Sequence, residues 1–310
     1  MTQRMRLVSL AAAVLVGAPL LVGAAAVPDD ADVAVVAAAL ASVPSEYGID
    51  QGTVETLDQE VLAGEPVYLI GAEAEIGISV LSVNQGDTID EVTAGRSAVF
   101  HDDDTSTLAQ RKEDGSIQIL TTIESPSAPR EYGFELTLPT GANTVINEDG
   151  SVAILGSDGS FLGGVQAPWA FDAAGNAVAT HYQIDGTRLT QVVDHGEGSA
   201  YPIVADPWLG AELYGKVSIT NTSQGFVVTT RPSNWGAAFQ GTTNIGMWWA
   251  HADEVKNKMP NPSKWSLSLQ EQLYCHIAGF PISANPNYDL ESWKPYVRWE
   301  QQALTKCQSY

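Results

Sequence analysis

Two groupings of residues in the chain have types that do chemistry. Cys275 stands directly before His276, and the only other cysteine among 310 residues is Cys307. Upstream, His251 lies close to Asp253 and Glu254. A cysteine next to a histidine reads as an activated thiolate, a pair of zinc ligands, or half of a crosslink. On a helix, neighbouring side chains diverge by about 100°. Zinc ligand pairs normally leave two or more residues between them, and a thiolate–imidazole pair needs the two groups in contact. The second grouping has the makings of an acid–base set, but carboxylates on a solvated helix face are commonplace. No Gly-x-Ser-x-Gly or His-Glu-x-x-His motif accompanies it. Catalysis is therefore disfavoured, and neither a metal site nor a cofactor is expected.

The compartment decides between the remaining readings of the cysteines. Residues 1–26 carry Arg4 and Arg6, then an apolar run from Leu7 to Val22, then Ala24-Ala25-Ala26. That is the order of a secretory signal peptide with a small-residue cleavage site. Pro19 and the small-residue end argue against a membrane anchor, and no later stretch approaches the ~20 apolar residues of a span. The mature chain is expected to begin near Val27 and to be secreted. Two cysteines in an oxidising space are most simply a disulfide. Joining Cys275 to Cys307 closes a loop of about thirty residues, worth roughly 3–4 kcal/mol in the chain-entropy estimate.

Charge divides the chain. Residues 27–207 hold 30 Asp and Glu against 5 Lys and Arg, while residues 208–310 hold 7 against 8. The acidic part argues against nucleic acid and against anionic wall polymers as its partners. Asp102-Asp103-Asp104 lacks the glycine and the bidentate glutamate of a calcium loop, so these acids read as solubilising.

The elements follow from local pattern. Residues 27–65 form an acidic, alanine-rich segment in which 33–41 has the texture of a short helix. From 66 to 206 the pattern is that of strands: "ISVLSV" at 78–83, "SIQILTTI" at 116–123 and "FELTL" at 134–138. Turn signals recur at Asp114-Gly115, Asp149-Gly150, Asp158-Gly159, Gly175 and Asp185-Gly186. The spacing predicts a mainly β, sandwich-like antiparallel meander. It ends at "YPIVADPW", 201–208, where Pro202 and Pro207 suit an edge strand running into a linker, so that 27–207 and 208–310 are expected to be separate folding units. Residues 207–310 hold seven of the eight tryptophans and predict a small α+β domain stapled by one disulfide. Its helices are expected over Trp248–Lys258, from Ser268 to about Gly279, and from about Tyr296 to Lys306. Ser268-Leu269-Gln270-Glu271 has the capping-box pattern for the second of these.

"SLQEQLYCHIAG", "YDLESWKP" and the late Cys307 together resemble domain of unknown function number 2599, found in exported actinobacterial proteins. The matching positions are Gln272, Cys275, His276, Leu290, Glu291, Pro295 and Cys307. Upstream, "PWAFDAAGNAV" and "YPIVADPW" look like the β-rich region that precedes various C-terminal modules in secreted actinobacterial proteins. The resemblance covers roughly residues 130–310. It departs at Lys294, where Arg is usual, at Tyr288-Asp289, where Trp-Asn is usual, and in lacking an Asn-Pro after the last cysteine. It implies the paired cysteines and an exported protein, with no established activity.

The composition supports a secreted binding or interaction module whose tryptophan-rich part meets a cell-wall glycan or a surface protein. Aromatic faces stack on apolar ring faces and anchor interfaces. The competing reading is an exported effector or hydrolase with its activity in the C-terminal part. Candidate functional or packing residues are His276, Trp248, Trp249, Glu291 and Trp293. Trp248 and Trp249 point in different directions on their helix, so at least one of them is expected to be exposed. Protein recovered from the medium should start near Val27 on N-terminal sequencing; an intact Met1 would contradict export with cleavage.

Overall fold

A computed structural model describes residues 30–44, 55–56, 65–70, 72, 74–81, 87–93, 96–101, 103–279 and 287–307. The segment read as a signal peptide lies outside these residues. The protein is mostly β, with antiparallel sheets, a smaller α+β part at the C-terminal end, and a Cys275–Cys307 disulfide.

Among the described residues, five strands form one sheet and eleven form another, and the two pack face to face. The strand Ile117–Ile123 lies at the centre of the larger sheet and is buried on both faces. Its odd-numbered side chains Ile117, Ile119 and Ile123 point into the layer between the sheets, where they meet Phe134, Leu136 and Leu189. Leu120 points the other way, towards helix α1 (Asp30–Ser42). Val36, Ala39, Leu40 and Val43 form the helix stripe that covers this second face. The alanine-rich segment is thus a lid on the large sheet, which explains why a central strand is buried along its whole length instead of on alternate residues.

Three turns use one device. Asp114, Asp149 and Asp158 each accept hydrogen bonds from both the backbone N–H and the hydroxyl of the serine two residues on. The glycine between them takes a positive φ, 78°, 85° and 82° respectively, while the aspartate does not. These are three-residue loops with a left-handed glycine, where an Asp-Gly pair alone reads as a two-residue turn. At Asp185-Gly186 the loop does have two residues, but they are Gly186 and Thr187, since Asp185 ends its strand and pairs with Arg188.

The residues on either side of position 207 both belong to the large sheet. Ile203–Ala205 pairs with Ile117–Ile123 and with Ala170–Phe171. Trp208–Gly210 lies between Ile117–Ile123 and Phe161–Val165. Both are interior segments, where the two prolines had pointed to an edge strand. Pro202 and Pro207 fall just outside them, so neither removes a ladder donor.

Beyond Gly210 the chain forms a three-stranded sheet of Tyr214–Asn221, Phe226–Pro232 and Tyr288–Glu291. Four helices pack with it: α2 (Asn234–Ala238), α3 (Trp248–Lys258), α4 (Leu267–Ala278) and α5 (Trp299–Ala303). Their core continues into the large sheet through Trp208 and Ala153, with Phe161 packed against it. Trp235 of α2 sits at this seam, fully buried. Its backbone N–H donates to Asp114 Oδ2 at 3.0 Å, its indole N–H to the Trp208 carbonyl at 3.2 Å, and its own carbonyl accepts from Gln166 Nε2 at 2.9 Å. The ring lies flat over Gly210, where a Cβ would come within 2.4 Å of it.

Gly210→Ala should therefore lower stability by about 1–3 kcal/mol through overpacking, and Trp235→Ala by about 3–5 kcal/mol. Urea unfolding of both variants checks this, and an unchanged midpoint for Gly210→Ala would contradict the described contact.

Candidate functional site

The expected disulfide is present, with Cα atoms 5.8 Å apart. Cys275 sits inside α4 and is fully buried. Cys307 follows α5, which is shorter than the helix expected over 296–306. The chain leaves it through Lys306 and Cys307 at φ 55° and 58°, which ends helical pairing and brings Cys307 back to α4. The N-cap of α4 is Ser266, whose hydroxyl accepts from the Leu269 N–H at 3.3 Å. Ser268 was the expected cap, but it lies within the first turn. Its hydroxyl instead donates to the carbonyls of Lys294 and Pro295.

The residues that carried the family resemblance converge on this joint. Gln272 projects its amide at the strand Tyr288–Glu291, accepting from the Glu291 N–H at 2.8 Å and donating to the Glu291 carbonyl at 3.1 Å. It thereby supplies the donor and acceptor that a neighbouring strand would offer. The Glu291 carboxylate pairs with Lys294 at 2.7 Å. His276 stacks flat on Tyr288, ring centroids 4.7 Å apart, and burial depresses its pKa to about 4. Trp293 is partly buried beside Gly225. Trp248 is buried, donates to the Gly241 carbonyl at 3.0 Å and meets Trp299 edge-on. These residues hold α4, α5 and the strand together.

The structure does not bring His251 into contact with the carboxylates near it in sequence. His251 is fully buried. Its Nε2 faces the Phe239 carbonyl at 2.9 Å, which only accepts, so Nε2 carries the proton and Nδ1 accepts from the Tyr214 hydroxyl at 3.1 Å. Gln240 links that hydroxyl to Tyr288, accepting from the Tyr288 O–H at 2.8 Å. Desolvation lowers the His251 pKa to about 4, holding the imidazole neutral. Glu254 receives the N–H groups of Leu213 and Tyr214 on its two oxygens and pairs with Lys258 at 3.0 Å. Burial raises the Glu254 carboxyl, against the opposing pull of the Lys258 ammonium and these hydrogen bonds.

A further arrangement had no signal in the sequence. Asp87 Oδ2 lies 2.8 Å from His101 Nδ1, and His101 Nε2 lies 3.1 Å from the Thr107 hydroxyl. The order is that of a nucleophile, base and orienting acid. All three side chains are closed off, however, with Asp87 and His101 at 3% and 2% exposure. A hydroxyl sealed within the sheet reaches no substrate, and the trio packs the end of the large sheet.

Among the described residues a cleft of about 340 Å³ opens along the seam between the large sheet and α3, a size suited to a small ligand or a segment of a larger one. Ser160, Phe161 and Leu162 of the large-sheet hairpin form one wall, with Ala72 and Ala74 leaving room beside them. Helix α3 forms the other wall through Trp249, Asp253 and Asn257. Their four-residue spacing sets them in one stripe, about 12 Å long at 1.5 Å per residue. Trp249 is half-buried, while Asp253 and Asn257 are exposed. Among the described residues none of these three side chains has a hydrogen bond or an ion pair. By contrast, Trp208, Trp235 and Trp248 all place their indole N–H on a partner.

No family model, curated protein or solved structure matches the chain. Among the described residues, no group of three or more His, Cys, Asp or Glu is placed to hold a metal ion, and no helix is long and apolar enough to cross a membrane.

His251 and His276 supply a pH prediction with a definite sign. Both protonate near 6.5 when unfolded and near 4 when folded, so the unfolded chain binds more protons between those values. Their contribution is complete above about pH 6.5 and is lost as the pH falls towards 4, by roughly 3 kcal/mol for the fully buried His251. In an NMR titration both imidazoles should stay neutral from pH 8 to 5. Titration near 6.5 in the folded protein would contradict their burial.

Proposed function

We propose that the protein is an exported, non-catalytic binding module that acts at or outside the cell surface and takes a segment of cell-wall glycan into the cleft beside α3. The observation that carries this reading is the stripe of Trp249, Asp253 and Asn257, three side chains that face a cleft and have no hydrogen bond or ion pair of their own. A glycan ring has an apolar face for an indole to cover. It also has a rim of hydroxyl groups that a carboxylate and an amide satisfy as acceptor and donor.

Other candidates have been given structural work. His276, Trp248 and Glu291 are taken up in the joint around the disulfide, Trp293 is partly buried beside Gly225, and His251 and Glu254 are held in buried contacts. A binding role asks nothing of them beyond holding α3 in place. The signal-like residues 1–26 support export, as does a disulfide at the end of a chain that otherwise lacks cysteine.

Purified oxidised protein should be retained on insoluble cell-wall glycan and released by soluble fragments of it. Trp249→Ala should bind about tenfold more weakly, the loss of about 1.4 kcal/mol expected for an aromatic platform, with an unchanged circular dichroism spectrum. Retention that is absent in the natural chain, or equal in the variant, would contradict this function.

A further inference from the structure

Charge in the cleft is unevenly matched. Among the described residues, three carboxylates line it, from Glu212, Asp253 and Glu254, against one ammonium, that of Lys258. That ammonium has three N–H donors. All three are taken: by Glu212 Oε1 at 2.7 Å, by Glu254 Oε1 at 3.0 Å and by the Tyr214 carbonyl. Lys258 is thereby fixed to the base of the cleft and has no donor left for a ligand. The described lining residues carry a net charge of −2, and the one cation among them is occupied.

The position of the surplus matters as much as its size. Glu212 and Glu254 share Lys258, and Glu254 also receives two backbone N–H groups. Asp253 has neither a hydrogen bond nor an ion pair and sits one helical turn from Trp249, on the same stripe. A ring lying against the indole would present its edge substituents to that carboxylate. Aromatic faces also attract cations, through the negative potential of the ring. Both groups thus favour a positively charged substituent, and among the described residues the cleft has no free donor cation with which to hold an anionic one.

We infer that the ligand of this cleft is an amino sugar with a free ammonium group, bound as part of a glycan from which acetyl groups have been removed, with Trp249 beneath the ring and Asp253 on the ammonium. The inference rests on the glycan-binding reading above and narrows it to one class of glycan. It also fits the wider field of the protein: at −22 overall, the chain draws polycations towards itself and repels anionic wall polymers.

The test compares two soluble oligomers of equal length, one of glucosamine with its amino groups protonated and one of N-acetylglucosamine, by calorimetry on the oxidised protein. An oligomer of lysine serves as a cation without sugar rings. The glucosamine oligomer should bind at least about tenfold more tightly than the acetylated one, and this margin should shrink in high salt because it is partly Coulombic. Asp253→Asn should narrow the ratio and Asp253→Lys should abolish it. Asp253 is exposed, so neither change touches the core. Equal binding of the two sugars would overturn the inference while leaving the glycan reading in place. Binding of the lysine oligomer as tight as that of glucosamine would overturn it in favour of a general cation site. Failure of both sugars to bind would remove the inference and the reading together.

Discussion

The seat of Trp235 against Gly210 is the contact on which the rest of the arrangement depends. A strand of the large sheet ends in a residue without a side chain, and an indole from the next part of the chain fills the space. Three hydrogen bonds then fix its backbone and ring to Asp114, Trp208 and Gln166, all within or beside that sheet. Phe161 and Phe239 stack around the same ring, with centroids 6.3 and 5.0 Å away. Asp114 both closes its own turn and holds the first turn of α2. The acidic β part therefore contributes specific donors and acceptors to the seam besides apolar area.

From this seat the position of the cleft follows. The segment from α2 to α3 carries Phe239, Gln240 and His251, and the chain of hydrogen bonds through Tyr214 and Tyr288 fixes α3 to the three-stranded sheet. A buried polar chain of this kind is stabilising only when every member is satisfied, and a neutral His251 with both nitrogens bonded meets that condition. Glu254 and Lys258 then tie the helix to Glu212, Leu213 and Tyr214. With those residues committed to anchoring, the stripe beginning at Trp249 is the part of α3 left facing the large sheet across open space.

Much of this was legible in the sequence wherever a local rule decides the outcome. The Asp-Gly turns, the strand texture of 116–123 and 134–138, the helix Trp248–Lys258 and the disulfide all follow from backbone preference, periodicity or compartment. Elements set by distant partners were less legible. Ser266 and Ser268 are both competent caps, and only the docking of Ser268 onto Lys294 and Pro295 separates them. The two prolines of "YPIVADPW" pointed to an edge, yet the strands between and after them are interior. Asp206 in that stretch is fully buried, accepting the Trp169 N–H at 3.0 Å, and burial pushes its carboxyl well up. Nothing in the spacing of Asp87, His101 and Thr107 announced their meeting, because strand pairing sets it. Trp249 was singled out by its divergence from Trp248, but the opposite wall of its cleft comes from residues nearly ninety positions earlier.

Residues 27–207 and 208–310, which the change of charge and the two prolines mark as separate folding units in the sequence, share the Trp235 seam, and through it they are expected to unfold as one body with the cleft as its product. Seven of eight tryptophans lie from Trp208 onward, so near-ultraviolet circular dichroism reports chiefly on the second part and the far-ultraviolet strand signal chiefly on the first. Followed together through urea unfolding, the two signals should change in a single coincident transition with one midpoint. Two separated transitions, with the tryptophan signal lost while the strand signal persists, would contradict it.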